Sequence, residues 1–378
     1  MEFYFFHLMP WPHLPDDFDT AQRSAWVTFS NKYYDPERGH ALYNRYLDEL
    51  EYAEALGFDG ICVNEHHQNA YGTMPAPNIM AAALARRTTR AKIAILGNAL
   101  PLRDHPLRIA EEVAMLDVLS GGRIIAGHVR GIGAEYHTFS MSPAFSRERF
   151  LEAHELIVRA WTEEGPFAFE GKHYRHRYVN IWPRPLQKPH PPIWIPSQGS
   201  RETVEWAAQR RYPYLMVYSS IPSIKKIFDE YRECARRVGY EAPPGQLGWM
   251  TLIYVAETDR QARAEAEPHA LWLFGRGLKN PPEYLFPPGY MTVPSMLRQL
   301  QMKDKLEFGK KTFRELEDEG YVVAGSPETV AQRIRAIHAE LGFGIMTGLL
   351  QFGPMPHEQT VKSMELFARK VMPQLRPL

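Results

Sequence analysis

Eight short apolar segments recur along the chain, and helical periodicity follows most of them. Each segment predicts one buried strand: 3–7, 60–63, 92–96, 123–128, 192–195, 214–218, 247–256 and 344–351. The segments between them predict crossover helices near 41–56, 106–119, 147–161, 202–211, 223–238 and 329–341, with a last helix near 357–371. Because alternating strands and helices build parallel sheets, eight such strands predict an α/β fold of the (β/α)8 TIM-barrel type.

The alternative architecture is an open doubly wound sheet, which carries a glycine-rich turn after its first strand. A proline-rich segment at 8–12 stands there instead, so the barrel is favoured. Three connections, at about 9–39, 165–191 and 259–320, exceed the usual length of a few residues. We predict one domain over 1–378, with these insertions over the carboxyl ends of the strands. Packing against outer helices or a partner subunit is the alternative.

Charge and cysteine content exclude several classes of function. Lysine plus arginine and aspartate plus glutamate both number 44, so no positive surplus favours nucleic acid or an anionic membrane. The two cysteines, Cys62 and Cys234, are too few for a disulfide framework or a thiolate metal site. No apolar stretch reaches the ~18 residues of a membrane span, and Glu2 stands where a signal peptide would be basic. We therefore expect a cytoplasmic protein that binds a small molecule.

Polar residues gather where the strand at 60–63 ends. Because side chains alternate along a strand, Cys62, Asn64 and His66 share one face, and the apolar residues lie on the other. A barrel places the ends of its strands at its active site, so His66 is the leading candidate for catalysis. A zinc site at Glu65 and His67 is a rival interpretation, but it lacks a third ligand nearby. A histidine held only by structural hydrogen bonds is the other alternative.

Later strands end in residues suited to a ligand with a ring and a phosphate. Asn98 follows 92–96, and its amide can bind a planar heterocycle. Arg130 follows 123–128, and a guanidinium suits phosphate because it is permanently charged and offers paired donors. Ser200 has the spacing of a helix N-cap, where free backbone N–H groups attract anions, although an ordinary capped helix explains it as well. Arg130 and Ser200 follow neighbouring strands, so one phosphate can meet both.

Short motifs in a fixed order give a family resemblance. They are GFDG at 57–60, EHH at 65–67, DHPLR at 104–108, AEE at 110–112, LDVLSGGR at 116–123, RG at 130–131, EY at 135–136, GS at 199–200 and EWAA at 205–208. Together they resemble the bacterial-luciferase-like family of flavin-dependent monooxygenases. The resemblance implies a (β/α)8 barrel that binds FMN, as reduced flavin supplied by a separate reductase, and a homodimer.

The same resemblance implies roles for individual residues. His66 matches the histidine that serves the flavin intermediates, and Asn98 matches a position beside the isoalloxazine. Arg130, Ser200 and Thr203 match positions that contact the phosphate. The full implied cofactor site is Asn98, Arg130, Tyr136, Gly199, Ser200 and Thr203, with no metal.

On this basis we expect reduced FMN and O2 to form a flavin C4a-peroxide that oxygenates a small apolar organic substrate. Two alternatives stay open: a deazaflavin-dependent oxidoreductase of the same fold that transfers hydride, and a non-catalytic flavin-binding protein. The insertions at 9–39 and 165–191 differ from what a long-chain aldehyde site needs, so light emission is not expected. Aromatic residues in the first insertion are consistent with an aromatic-lined pocket or with plain packing: Trp11, Trp26, Phe29, Tyr33 and Tyr34.

Overall fold

A computed structural model describes residues 1–302 and 308–378. Its strands are β1 (Glu2–Phe6), β2 (Gly60–Val63), β3 (Lys92–Ala99), β4 (Ile124–Val129), β5 (Phe167–Glu170), β6 (Arg175–Val179), β7 (Ile193–Ser197), β8 (Tyr214–Met216), β9 (Leu247–Val255), β10 (Val322–Gly325) and β11 (Ile345–Leu349). Parallel pairing runs β1-β2-β3-β4-β7-β8-β9-β11, and β11 pairs back to β1. This closed ring confirms the predicted TIM barrel, and every predicted strand overlaps one of its members. β10 pairs with the last residues of β9.

Helices surround the ring, and further helices lie in the first and third long connections. In the described part of the chain they are α1 (Phe18–Ala21), α2 (Pro36–Ala55), α3 (Pro77–Arg87), α4 (Leu107–Ser120), α5 (Gly133–Thr138), α6 (Ser146–Thr162), α7 (Arg201–Gln209), α8 (Ile221–Arg237), α9 (Asp259–Trp272), α10 (Pro282–Leu285), α11 (Val293–Met302), α12 (Phe313–Glu319), α13 (Pro327–Leu341), α14 (His357–Leu366) and α15 (Met372–Leu375). Over these same ranges, no helix has both the length and the apolar character needed to cross a bilayer.

Strand alternation separates the barrel interior from the layer beneath the helices. On β2, Cys62 belongs to the interior cluster, whereas Ile61 and Val63 pack in the outer one, as the sequence predicts. The interior is closed by large rings, and Tyr4 meets Trp194 edge to face with their centroids 4.9 Å apart. The polar residues that follow the strands are therefore left at the mouth, above a packed interior.

Two of the three long connections reach the mouth. Trp26 from 9–39 and Tyr290 from 259–320 line one cavity there. The connection at 165–191 instead forms the β5–β6 hairpin, whose backbone N–H groups donate to Glu152 on α6. None of its residues is among those that line the mouth cavity, and its packing on α6 matches the alternative of packing against an outer helix. A segment that leads from a helix to the next strand starts at the amino-terminal end of a barrel, opposite the mouth.

Two buried histidines sit in the wall between β4 and α6. The Nδ1 atoms of His128 and His154 lie 3.0 Å apart, and both residues are almost fully buried. Loss of hydration lowers the pKa of His128 to about 3 and that of His154 well below its ordinary value. Both rings are therefore neutral in the folded protein near neutral pH.

Folding stability is expected to fall as the pH drops below the ordinary histidine pKa near ~6.5. In this pH range His128 becomes protonated in the unfolded chain, whereas in the folded protein it stays neutral until the pH falls to about 3. His128 alone contributes up to ~1.4 kcal/mol of lost stability per pH unit in this window. Urea unfolding at a series of pH values from 8 to 5 measures the slope, which His128→Asn should make shallower. His40→Asn provides the control, because it changes an exposed histidine and leaves the buried pair intact.

Candidate active site

A cavity of about 260 Å³ opens at the carboxyl ends of the strands. Each barrel strand, or the residues directly after it, contributes to its lining: Phe6, Asn64, Leu96, His128, Ile195, Leu215, Met250 and Thr347. Enzymes with this fold place their active sites at this end of the barrel. The cavity brings together four of the residues predicted from the sequence, namely His66, Arg130, Ser200 and Thr203.

His66 follows β2 and forms a pair with a buried acid. Its Nδ1 lies 2.8 Å from Glu135 Oε1, and the Glu135 side chain is 1% exposed, against 18% for His66. The other carboxylate oxygen accepts the Ile132 backbone N–H at 2.8 Å, which fixes the acid at the start of α5. Since a carboxylate only accepts hydrogen bonds, His66 Nδ1 carries the hydrogen and Nε2 is left free to exchange a proton with a ligand.

Glu135 belongs to the EY motif at 135–136, but the sequence predicted no role for it. The usable signal is its position three residues after Ile132, where a glutamate commonly reaches back to the start of its own helix. Such a glutamate is held near the end of β4, and its second oxygen is available to a neighbour. That the neighbour is His66, 69 positions away, follows only from closure of the barrel.

Glu65 and His67 serve the structure beside this pair. His67 Nε2 lies 2.7 Å from Glu65 Oε1, while the other Glu65 oxygen accepts from Arg103 Nη2 at 2.8 Å and from the Ala99 backbone N–H. These contacts occupy the acid that the rival zinc interpretation would use. Across residues 1–302 and 308–378, no group of three or more His, Cys, Asp or Glu side chains is placed to hold a metal ion.

Arg130 lies in the turn after β4 with much of its hydrogen-bonding capacity unused. Its Nη1 donates to Ser146 Oγ at 3.3 Å and to the Tyr290 carbonyl oxygen at 3.2 Å, and its guanidinium lies over the Tyr290 ring. Within the described ranges, Nε and Nη2 donate to no group. The hydroxyl of Tyr136 donates to the Arg130 carbonyl at 2.5 Å, so the predicted cofactor residue Tyr136 holds the turn and does not line the cavity.

The start of α7 supplies two hydroxyls to the same cavity. Ser200 is the N-cap residue, yet its side chain accepts no backbone N–H; it instead lies 2.6 Å from Thr203 Oγ1. This geometry differs from the ordinary capped helix. One hydroxyl hydrogen of the pair is thus available to an anion. The Thr203 and Val204 N–H groups, in contrast, already donate to the Ser200 carbonyl oxygen at 3.1 Å. Gly199, at φ = 88°, donates its N–H to the Tyr214 hydroxyl at 3.2 Å, so that donor is already used.

Asn98 is the next-to-last residue of β3, lies opposite His128 and is fully buried. Within residues 1–302 and 308–378, neither its Oδ1 nor its Nδ2 has a hydrogen-bond partner, and it is not among the residues that line the cavity. In the part of the chain that the structure describes, four polar atoms of cavity-lining residues are also buried without a partner, on Asn64, His128, Asn280 and Thr347. Buried polar groups are costly unless they are paired. This set of donors and acceptors, with Arg130 among the lining residues, fits a ligand that has a polar ring edge and an anionic tail.

Comparison with known proteins agrees with this geometry. The luciferase-like monooxygenase family model matches residues 24–343. The FMNH2-dependent dimethylsulfone monooxygenase of Pseudomonas putida is 27% identical over 353 residues, which cover 89% of this chain and 88% of that protein. The oxygenase component of the flavin-dependent trigonelline monooxygenase of Acinetobacter baylyi is 25% identical over 254 residues, covering 65% and 69%.

A solved structure shows the same fold from end to end. The crystal structure of a monooxygenase from Streptomyces bottropensis matches with a TM-score of 0.74 and 25% identity, covering 99% of this chain and 100% of that one. The family model spans most of the chain, and the residues at 66, 130, 200 and 203 meet in one cavity. The protein therefore belongs to the luciferase-like monooxygenase family.

Proposed function

We propose that this protein is the oxygenase component of a two-component monooxygenase, which uses reduced FMN and O2 to oxygenate a small apolar organic substrate. The observation that carries the proposal is the meeting of Arg130, the Ser200–Thr203 hydroxyls and the His66–Glu135 pair in one cavity. The names of the relatives from P. putida and A. baylyi support it, since the first is FMNH2-dependent and the second is an oxygenase component.

The phosphate of FMN would lie against Arg130, Ser200 and Thr203. Arg130 offers N–H donors that no protein acceptor in the described chain takes up, and the two hydroxyls add a further hydrogen. The ring system would then extend toward His66 and the unpartnered polar atoms of Asn64 and Thr347. Reduced FMN, when bound, supplies the electrons for the reduction of O2.

The remaining chemistry is that of the protein's own residues. His66 holds one hydrogen at Nδ1 through Glu135 and can receive or give another at Nε2, so it acts as the acid–base group. Trp26 and Tyr290, from the two connections that reach the mouth, line the cavity and limit the access of water to it. Asn98, Tyr136 and Gly199 stay predicted cofactor residues. The homodimer and the cytoplasmic location also stay predictions.

Cofactor binding followed by oxygen uptake tests the proposal. We expect the protein to bind FMN in a fluorescence titration, and to consume O2 when FMN, NADH and a flavin reductase are supplied with a panel of ketones, aldehydes and terpenes. Anaerobic titration with a deazaflavin is the comparison. Binding of the deazaflavin alone would overturn the oxygenase proposal in favour of hydride transfer, and flavin binding without any turnover would favour a non-catalytic flavin-binding protein.

A further inference from the structure

Aromatic rings wall the cavity beside His66. The Trp26 and Tyr71 rings have their centroids 5.1 and 5.2 Å from the His66 ring, and they stack on each other at 5.1 Å. Tyr71 continues to Tyr218, which follows β8, through hydroxyl oxygens 2.9 Å apart. We name Trp26, Tyr71 and Tyr218 the aromatic wall. All three line the cavity, and the Tyr71–Tyr218 contact joins the segments that follow β2 and β8.

The hydroxyl pair of this wall has a hydrogen to spare. Two phenols carry two hydroxyl hydrogens, and their mutual contact uses one, whichever ring donates. In the described ranges, neither hydroxyl has another protein partner. Burial raises the pKa of both phenols further above its ordinary value, so the spare hydrogen is present throughout the physiological pH range. The wall therefore offers one hydrogen-bond donor to whatever lies against it.

Hydrogen bonds hold the backbone of the wall in an unusual conformation. Tyr218 has φ = 45°, and Val27, next to Trp26, has φ = 47°. Residues other than glycine rarely adopt this left-handed backbone conformation. Trp26 Nε1 donates to the Gly277 carbonyl oxygen at 2.9 Å, and the Val27 N–H donates to the Gln68 carbonyl oxygen at 2.7 Å. Contacts from separate connections thus hold a conformation that costs free energy, as is common at ligand sites.

The acids around the wall already have hydrogen-bonding partners. Glu135 is paired with His66 and Glu65 with Arg103, while Arg130 belongs to the proposed phosphate site. A charged substrate beside the wall would find no unpaired counter-charge, and its desolvation would be uncompensated. The three aromatic residues give this part of the cavity an apolar lining, which suits a ring compound.

We infer that the aromatic wall selects a neutral, planar ring compound that carries one hydrogen-bond-accepting oxygen, such as an aromatic or cyclic ketone, and that the Tyr71–Tyr218 pair binds that oxygen. The inference rests on the proposed function, because it names the substrate class of the same site. Stacking on Trp26 and Tyr71 places such a ring next to His66.

Three probes with one bicyclic frame test the inference on the protein loaded with oxidised FMN, so that no turnover is needed. They are 1-indanone, indane and indane-1-carboxylate, and isothermal titration calorimetry gives each dissociation constant. We expect 1-indanone to bind at least about tenfold more tightly than indane, because only the ketone accepts the spare hydrogen. The carboxylate should bind more weakly than the ketone. Tightest binding by the carboxylate would overturn the inference.

Variants assign the preference to the hydroxyl pair. Tyr71→Phe and Tyr218→Phe each keep one phenol and should retain most of the preference for 1-indanone over indane, whereas the double variant should lose it. Trp26→Leu removes ring surface that all three probes contact, so it should weaken the binding of each probe by a similar factor. If the double variant binds FMN normally and still prefers 1-indanone over indane, this inference is overturned but the proposed function is not. Failure of the parent protein to bind FMN would overturn the proposed function as well.

Discussion

His66→Ala is expected to leave FMN bound while product formation falls by about 10²-fold or more, the usual contribution of a positioned acid–base group. The proposed flavin-phosphate contacts, Arg130, Ser200 and Thr203, are untouched by this change. Electrons from the reduced flavin should then pass to O2 without substrate oxygenation, which yields H2O2. The measurement is the ratio of H2O2 to oxygenated product, with whichever panel compound the parent enzyme converts.

Two further variants decide whether the imidazole itself is responsible. Glu135→Gln keeps the imidazole of His66 but changes the group that holds its Nδ1, so its effect should lie between those of the parent and His66→Ala. His40 is exposed on α2, and His40→Ala should behave as the parent does. Equal coupling of flavin oxidation to product in His66→Ala and the parent would refute the assignment of His66 as the acid–base residue.

Arg130→Ala should weaken the binding of FMN by about 10- to 100-fold, the range expected for a hydrogen-bonded charge pair. Riboflavin lacks the phosphate, so its affinity should be the same for the variant and the parent. Fluorescence titration of each protein with both flavins isolates the phosphate contribution. Added salt should reduce the difference between the two flavins in the parent protein, because a partly exposed ion pair is screened.

A conservative change tests the geometry of the same contact. Arg130→Lys keeps the charge but loses the planar, paired donors, so its FMN affinity should fall between those of the parent and Arg130→Ala. Arg130 also donates to Ser146 and to the Tyr290 carbonyl oxygen, and these contacts could stabilise the mouth rather than the phosphate. An equal loss of FMN and riboflavin affinity in Arg130→Ala would show that this structural role dominates.

The placement of Arg130 depends on the third insertion. The Tyr290 hydroxyl donates to the Gly131 carbonyl oxygen at 2.6 Å, and the Tyr136 hydroxyl holds the preceding carbonyl. Gly133 lies so close to the 284–287 segment that a Cβ there would lie 2.4 Å from the Tyr284 and Leu285 carbonyl oxygens. The turn that carries the guanidinium is therefore packed directly beneath the connection that follows β9.

The local sequence pattern was sufficient to predict the eight strands of the barrel, but it missed three strands outside the ring. The eight strands of the ring have apolar residues on at least one face, so their periodicity is visible in the chain. The β5–β6 hairpin was not predicted because Arg175–Val179 is mostly polar and exposed on the outside of α6. β10, Val322–Gly325, was not predicted either, although it is as long and as buried as β2, which was predicted.

The sequence by itself determined the eight strands of the ring and the polar residues that follow several of them. His66, Arg130 and Ser200 were predicted in this way, since side-chain alternation and helix starts depend only on neighbours in the chain. Tertiary structure alone decided that Glu135 meets His66 and that Tyr71 meets Tyr218, 147 positions later. The reason is physical: closing the ring sets which strand ends become neighbours, and no local preference of the backbone contains that information.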